Sequence, residues 1–346
     1  MHRKGEKLAE KLSLTGPEKN YFSDDKILFV YNSYYFDLIN PEDPEDPIRK
    51  QAVPTICERT EKPYEKADPL LEQDFSPLPG LIHRYKNRVL ILTTDKCALY
   101  CRHCFRRHFT GEGRGEISDK EFEDILHYIK ERPEIKEVLL SGGDPLTLSD
   151  TKIEGILSGL RKVSPELIIR MGTRIPAVLP QRITVRLADI MAGYRPIWMI
   201  THINHSRELT PRTKDAINLI TGRSIPVANQ SVLLRGVNDS VPELRTLCNG
   251  LLSAGIKPYY LLQGDLAAGT SHLRVPVTTS LKLYKQLREE ISGLAMPVLA
   301  VDLPEGGGKI PLTADHIAGE ENGWMILKDD KGREFRYPIE DMLPDD

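Results

Sequence analysis

No apolar run in the 346 residues approaches the roughly 18 that a membrane-spanning helix needs. The opening stretch MHRKGEKLAEKLSLTG lacks the apolar core of a secretory signal, so a cytoplasmic protein is expected. Charge of one sign is missing too: 47 Lys and Arg stand against 50 Asp and Glu, a net charge of −3. That balance gives no general electrostatic reason to expect nucleic acid or an anionic membrane as partner, and it points to a small ligand. Cysteine is scarce, five in all, which argues against a miniature fold stapled by disulfides. With 40% hydrophobic residues the chain can bury one large core or two unequal ones, which argues against disorder.

What is present divides by texture. Residues 1–80 are rich in proline and acid, and Pro41, Pro44, Pro47, Pro54, Pro63, Pro69, Pro77 and Pro79 interrupt short helical pieces such as Pro47 to Ala52, which reads as an N-terminal helical wrap. From Arg88 short apolar runs alternate with amphipathic helical patterns, as βα units around a parallel sheet do. The expected strands are 88–94, 137–141, 167–172, 197–202, 227–233, 258–263 and 297–302. Between them Ser118 and Glu121 form a capping box, a helix starts at Thr210-Pro211 and stops near Gly222, and another runs from Val241 to Gly255 with Cys248 inward. The pattern fits a partial or complete barrel or a doubly wound sheet, and in each the active site gathers at the carboxyl ends of the strands.

Chemistry-bearing residues fall at those ends. Cys97, Cys101 and Cys104 follow the first strand with the spacing C-x3-C-x2-C. Three thiolates on one short loop can hold three irons of a four-iron cluster and leave the fourth open to an outside ligand. A structural zinc completed by His108 or His103 is the alternative. Ser141-Gly142-Gly143-Asp144-Pro145 follows the second strand, where glycines permit close approach to a ligand and an acid can meet an ammonium. A tight turn explains the same residues without a ligand. Gly306-Gly307-Gly308-Lys309 follows the last strand, where a lysine amine can reach a ligand and backbone amides can meet anionic oxygen. It is not a P-loop, because Ile310 stands where Ser or Thr would serve magnesium, and an ordinary surface turn is the plain alternative.

The cysteine spacing, CALYCRHCFRR, SGGDPL, THINH, NQSVLLRGVND, DLAAGTSHLRVPV and GGGKIP together resemble the lysine 2,3-aminomutase family of radical S-adenosylmethionine (SAM) enzymes over nearly the whole chain. The resemblance implies an α/β fold: a partial (β/α)6-type radical SAM barrel over 81–302, flanked by the wrap (1–80) and a C-terminal extension (303–346) that begins with the lysine loop. It implies a four-iron cluster on Cys97, Cys101 and Cys104, with SAM beside Gly142, Gly143, Asp144, His202 and Gln230. It implies pyridoxal phosphate (PLP) carried by Lys309, with Arg84 and Arg88 nearby. The substrate lysine would be held by Arg106 at its carboxylate and by Asp265 and Asp302 at its distal ammonium. The implied enzyme is an isomerase that moves the amino group of lysine from C2 to C3 after a SAM-derived radical takes a β-hydrogen, and it needs an electron donor.

Each residue also has a plainer reading: exposed bases for Arg84 and Arg88, helix caps or solvated turns for Asp265 and Asp302, and a satisfied core histidine for His205. Phe105 and the short C-terminal region resemble the subgroup that makes β-lysine for elongation factor P, while Asp265 and the regular glycine run resemble the free-lysine mutases. The link to elongation factor P and a homo-oligomeric state are left open. Longer family members hold subunits with zinc through a cysteine where this chain has Ser240, and no cysteine follows Cys248, so that zinc is not expected. Leu262 stands where those enzymes carry a tyrosine. The rivals are an aminomutase of another amino acid, such as glutamate, which predicts a cation rather than an anion at 265 and 302, and a different radical SAM modifying enzyme, which would not need Lys309.

Overall fold

A computed structural model describes residues 8–23, 29–312, 317–322, 324–328 and 332–338. Parts of the wrap and of the C-terminal extension named above lie outside the described residues. Seven strands run parallel in chain order: β2 (Arg88–Thr94), β3 (Glu137–Gly142), β4 (Ile168–Thr173), β5 (Ile197–Thr201), β6 (Val227–Val232), β7 (Lys257–Leu262) and β8 (Val298–Leu303). Every expected strand is present to within one residue at either end. Two antiparallel strands flank them, β1 (Leu81–Tyr85) on β2 and β9 (Gly308–Pro311) on β8. The sheet ladder therefore starts and ends at different strands. It is brought round by a side chain: the backbone N–H of Lys309 on β9 donates to the Tyr85 hydroxyl on β1 at 3.1 Å.

Helices join the parallel strands, and their ends carry the chemistry that stops them. Ser118 caps the helix Asp119–Lys130 in a capping box with Glu121, and Thr210 caps Pro211–Thr221. In Val241–Ser253 the inward face is Leu244, Leu247, Cys248 and Leu251, so Cys248 is a core residue as its spacing indicates. Among the described residues no helix is long and apolar enough to cross a membrane.

The wrap is not a separate body. Its Phe22, Phe29, Tyr35, Phe36 and Ile48 belong to the same buried apolar cluster as Ile91, Leu140, Ile169 and Met199 of the strands. Phe22, Phe29 and Phe36 meet edge to face at 5.3 and 5.8 Å. The expected boundary at 302/303 also falls inside the sheet, because β9 pairs with β8 and puts Lys309 opposite Asp302. Beyond β9 lies a three-stranded antiparallel meander, Ile317–Glu321, Trp324–Lys328 and Glu334–Pro338.

The turn after β3 packs directly on the cysteine loop. The Gly143 amide donates to Thr94 O at 2.6 Å and the Asp144 amide to Lys96 O at 2.8 Å. A Cβ at Gly143 would lie 2.2 Å from Lys96 O, and one at Gly142 2.4 Å from Thr94 O. These glycines let one strand-end loop approach another, and both also line the cavity described below. Gly143→Ala should cost on the order of 1–3 kcal/mol of stability, while Gly155→Ala, on an exposed helix position with nothing within 4 Å, should gain up to about 1 kcal/mol. Denaturant melts of the two variants check both signs.

Candidate active site

One cavity of about 410 Å³ is lined from all nine sheet strands and from the cysteine loop. All the expected site residues line it. Its two ends differ in chemistry.

At the carboxyl end of β2 the cysteine loop is tied to the wrap. The Arg102 amide donates to Gln51 O at 3.0 Å, Asn32 Nδ2 donates to Ala98 O at 3.2 Å, and the Arg102 and Arg107 guanidiniums both pair with the buried carboxylate of Glu58. Burial pushes the Cys104 thiol up to about 11, helped by Cys101, and raises Cys97 well above its ordinary value, helped by Cys104. These thiols are protonated at neutral pH, so metal uptake must release protons. No group of three or more His, Cys, Asp or Glu side chains among the described residues is placed to hold a single ion. A cuboidal cluster asks for something different: three thiols spread around a cavity rather than converged on a point. Cys97, Cys101 and Cys104 line that space, and a cluster fits them.

Next to the thiols lie His103 and His202, ring centroids 5.2 Å apart. Burial, then the neighbouring Arg174 charge, brings His202 down to about 4, so its ring is neutral. His202 Nε2 and His103 Nδ1 are buried without a hydrogen-bond partner, as a site awaiting a polar ligand presents. His202 follows the last residue of β5 rather than standing on it, and Gln230 lies within β6. Asp144 lines the cavity and is also held by internal contacts. Its carboxylate accepts from the Thr173 hydroxyl at 2.8 and 3.0 Å and from the Leu146 and Arg174 amides at 3.0 and 2.7 Å. It binds β3 to β4 and has little capacity left for an ammonium. His205 accepts from the Arg207 amide at 3.1 Å, so it is a satisfied capping residue.

The other end is lined by Arg84, Arg88, Tyr85, Arg170, Lys309 and the acids. Arg84 and Arg170 each keep a buried Nε without a partner, and Arg88 lies over the Tyr85 ring at 4.0 Å. Such a cationic wall suits a phosphate. Arg106 carries a fork of contacts to Glu72, Nε to Oε2 at 2.8 Å and Nη2 to Oε1 at 2.7 Å, with Nη1 on Ser141 Oγ at 3.0 Å. The expected carboxylate clamp therefore already holds an internal carboxylate. The Lys309 ammonium pairs with Asp302. Asp265 Oδ1 is buried without a partner, and burial, then the charge of Asp302, raises its carboxyl to about 7. The glycine run is explained by packing: Cβ atoms at Gly306 and Gly307 would strike Phe75 at 2.5 Å and Leu303 at 2.7 Å. Glu72, Tyr85, Arg170 and Arg174 went unrecognised in the sequence, where only the position of Arg174 just after a strand end set it apart.

The chain is also similar to known proteins. The radical SAM superfamily matches residues 91–248. The L-lysine 2,3-aminomutase of Acetoanaerobium sticklandii is 42% identical over 308 residues, 89% of this chain and 74% of that one. That of Clostridium subterminale is 43% identical over 299 residues, 86% of this chain and 72% of its own. A glutamate 2,3-aminomutase of Clostridioides difficile is 36% identical over 335 residues, 96% of this chain and 79% of its own.

Asp265 gives the cavity a pH signature. The folded chain keeps a proton on Asp265 up to about pH 7, whereas the unfolded chain releases it near pH ~3.9. Between those values folding takes up a proton, so stability from this group falls as pH rises, and above them the full penalty stands. Asp265→Asn should therefore be more stable than wild type at about pH 8, by a few kcal/mol at most, with the advantage gone by about pH 4. Thermal melts of the ligand-free protein across that range check it, and equal stability at high pH refutes it.

Proposed function

We propose, from the premise that this chain belongs to the lysine 2,3-aminomutase family of radical SAM enzymes, that it interconverts L-lysine and β-lysine. Enzymes of this family are isomerases that use a four-iron cluster, SAM and PLP. The observation that carries the choice of lysine is the acid pair at the cavity end. Asp302 accepts a lysine ammonium within this very structure, from Lys309, and Asp265 beside it is an unpartnered carboxyl. A glutamate side chain would put a third carboxylate against them.

In this reading Cys97, Cys101 and Cys104 hold the cluster, and His202, just after β5, and Gln230 on β6 meet SAM. Arg84 and Arg88 hold the PLP phosphate, and Lys309 carries PLP through Nζ. When bound, the three groups supply a hydrogen-abstracting radical and a conjugated carrier for the migrating nitrogen. Arg106 takes the substrate carboxylate on the donor capacity that Glu72 leaves, or in exchange for Glu72. Asp265 and Asp302 take the distal ammonium, and Asp265 must give up its proton to do so, which favours binding above about pH 7. The barrel interior would limit access of water to the reacting carbons. Residues 1–80 act as the wrap that fixes the cysteine loop, 81–302 as the catalytic barrel, and 303–346 as the lysine strand and its extension. A reducing cytoplasm with an external one-electron donor suits three free thiols.

Reconstituted anaerobically with iron, sulfide, SAM and PLP, the protein should form β-lysine from lysine and leave glutamate untouched. Asp302→Lys should weaken lysine turnover by roughly 2–5 kcal/mol, the scale of breaking a buried charge pair. Equal turnover of glutamate by wild type, or unchanged lysine turnover in the variant, overturns the substrate assignment. Separately, borohydride reduction of the PLP-loaded protein should leave the pyridoxyl group on Lys309, and peptide mass analysis finding it on another lysine would refute that site.

A further inference from the structure

We propose that Arg174 is a positioning residue that sets the reduction potential of the cluster through the sulfur of Cys101, with Glu208 as its counterweight. The inference rests on the reading that Cys97, Cys101 and Cys104 hold the cluster. Arg174 follows β4, and its amide is fixed on Asp144 at 2.7 Å. Its guanidinium is buried and reaches in two directions. Nη1 donates to Cys101 Sγ at 2.7 Å. Nη2 is shared among the Tyr35 hydroxyl at 2.9 Å, Gln51 Oε1 at 2.6 Å and Glu208 Oε1 at 2.8 Å.

Structural need alone does not account for this arrangement. A guanidinium neutralised by Glu208 has no requirement to reach a thiol, yet one arm is spent on it. Cluster reduction adds one electron, and the extra charge is shared with the ligand sulfurs. A donated N–H and a fixed cation at one of those sulfurs stabilise the reduced state more than the oxidised one, which raises the potential. Glu208 is fully buried behind the guanidinium and acts against it. Its carboxyl stays ionised, because Arg174 and the Asn204 and His205 amides outweigh the cost of burial. Tyr35 is raised well above its ordinary value by burial, so it stays a neutral phenol. The field at Cys101 is then the difference between a near cation and a more distant anion.

The two charges make opposite predictions. The full chain is reconstituted anaerobically as wild type, Arg174→Gln and Glu208→Gln. Iron and sulfide are counted, and the midpoint potential is read by EPR during a dithionite titration without substrate. Arg174→Gln should shift the potential negative, and Glu208→Gln should shift it positive. Wild type that takes up no four-iron cluster refutes the cluster reading itself. Wild type that loads normally while both variants keep its potential, or shift in the same direction, overturns the role of Arg174 alone. If one variant fails to load iron, the sign of the other decides. Loss of loading in both counts against the proposal, because a pair that only tunes potential is dispensable for assembly.

Discussion

Buried charge along the seam between the wrap and the barrel is the constraint on which the cysteine loop depends. Glu58 comes from the proline-rich wrap and holds two arginines of the loop, Arg102 and Arg107, with a carboxyl kept low against its own burial by those two guanidiniums. Arg174 from the barrel reaches back to Gln51 and Tyr35 of the wrap. Removing one member of such a pair strands the other charge in a dry interior, at about 3–5 kcal/mol. The wrap and the loop are therefore held in one arrangement or lost together. The same seam brings the three thiols to the cavity wall, so the placement of the cysteine loop is decided largely by residues of the wrap and of the strand ends packed on it.

A second regularity runs through the cavity: several of its charged groups face internal counter-ions. Arg106 holds Glu72, Arg170 holds Glu137 and Lys309 holds Asp302. Asp265 cannot find a partner and keeps its proton to about pH 7 instead. Binding a zwitterionic amino acid with a second ammonium is then an exchange of ion pairs rather than a fresh desolvation of isolated charges. That lowers the cost of keeping so many ionisable groups in one enclosed space, and it makes an ammonium the ligand that resolves the frustrated acid pair.

Much of this was legible in the sequence. The parallel strands read clearly because they are short apolar runs set between amphipathic helical patterns, and capping at Ser118 and Thr210 depends only on residues three apart. The cavity residues that were found sit at strand ends or beside motifs. What escaped has a physical reason. LIHRY on β1 and GKIP on β9 are edge strands with charge, glycine and proline, and they carry no alternation strong enough to mark them. Glu72 lies in an acidic, proline-broken segment where nothing local distinguishes it from a solvated side chain. Asp144 and the paired glycines line the cavity as expected, but their tight packing on the cysteine loop and on β4 depends on neighbours distant in sequence and was not legible.

The sheet's closing side explains why the lysine stands where it does. A ladder whose edges do not pair leaves backbone groups open, and here the Lys309 amide is satisfied by the Tyr85 phenol instead of a strand. Gly308, at φ +85, would bring a Cβ to 3.3 Å from that phenol, so the glycine run is what lets β9 approach β1. The consequence is chemical as well as architectural. With its backbone on the closing strand and Asp302 directly opposite, the Lys309 side chain enters the cavity between the cationic wall of Arg84 and Arg88 and the acid pair.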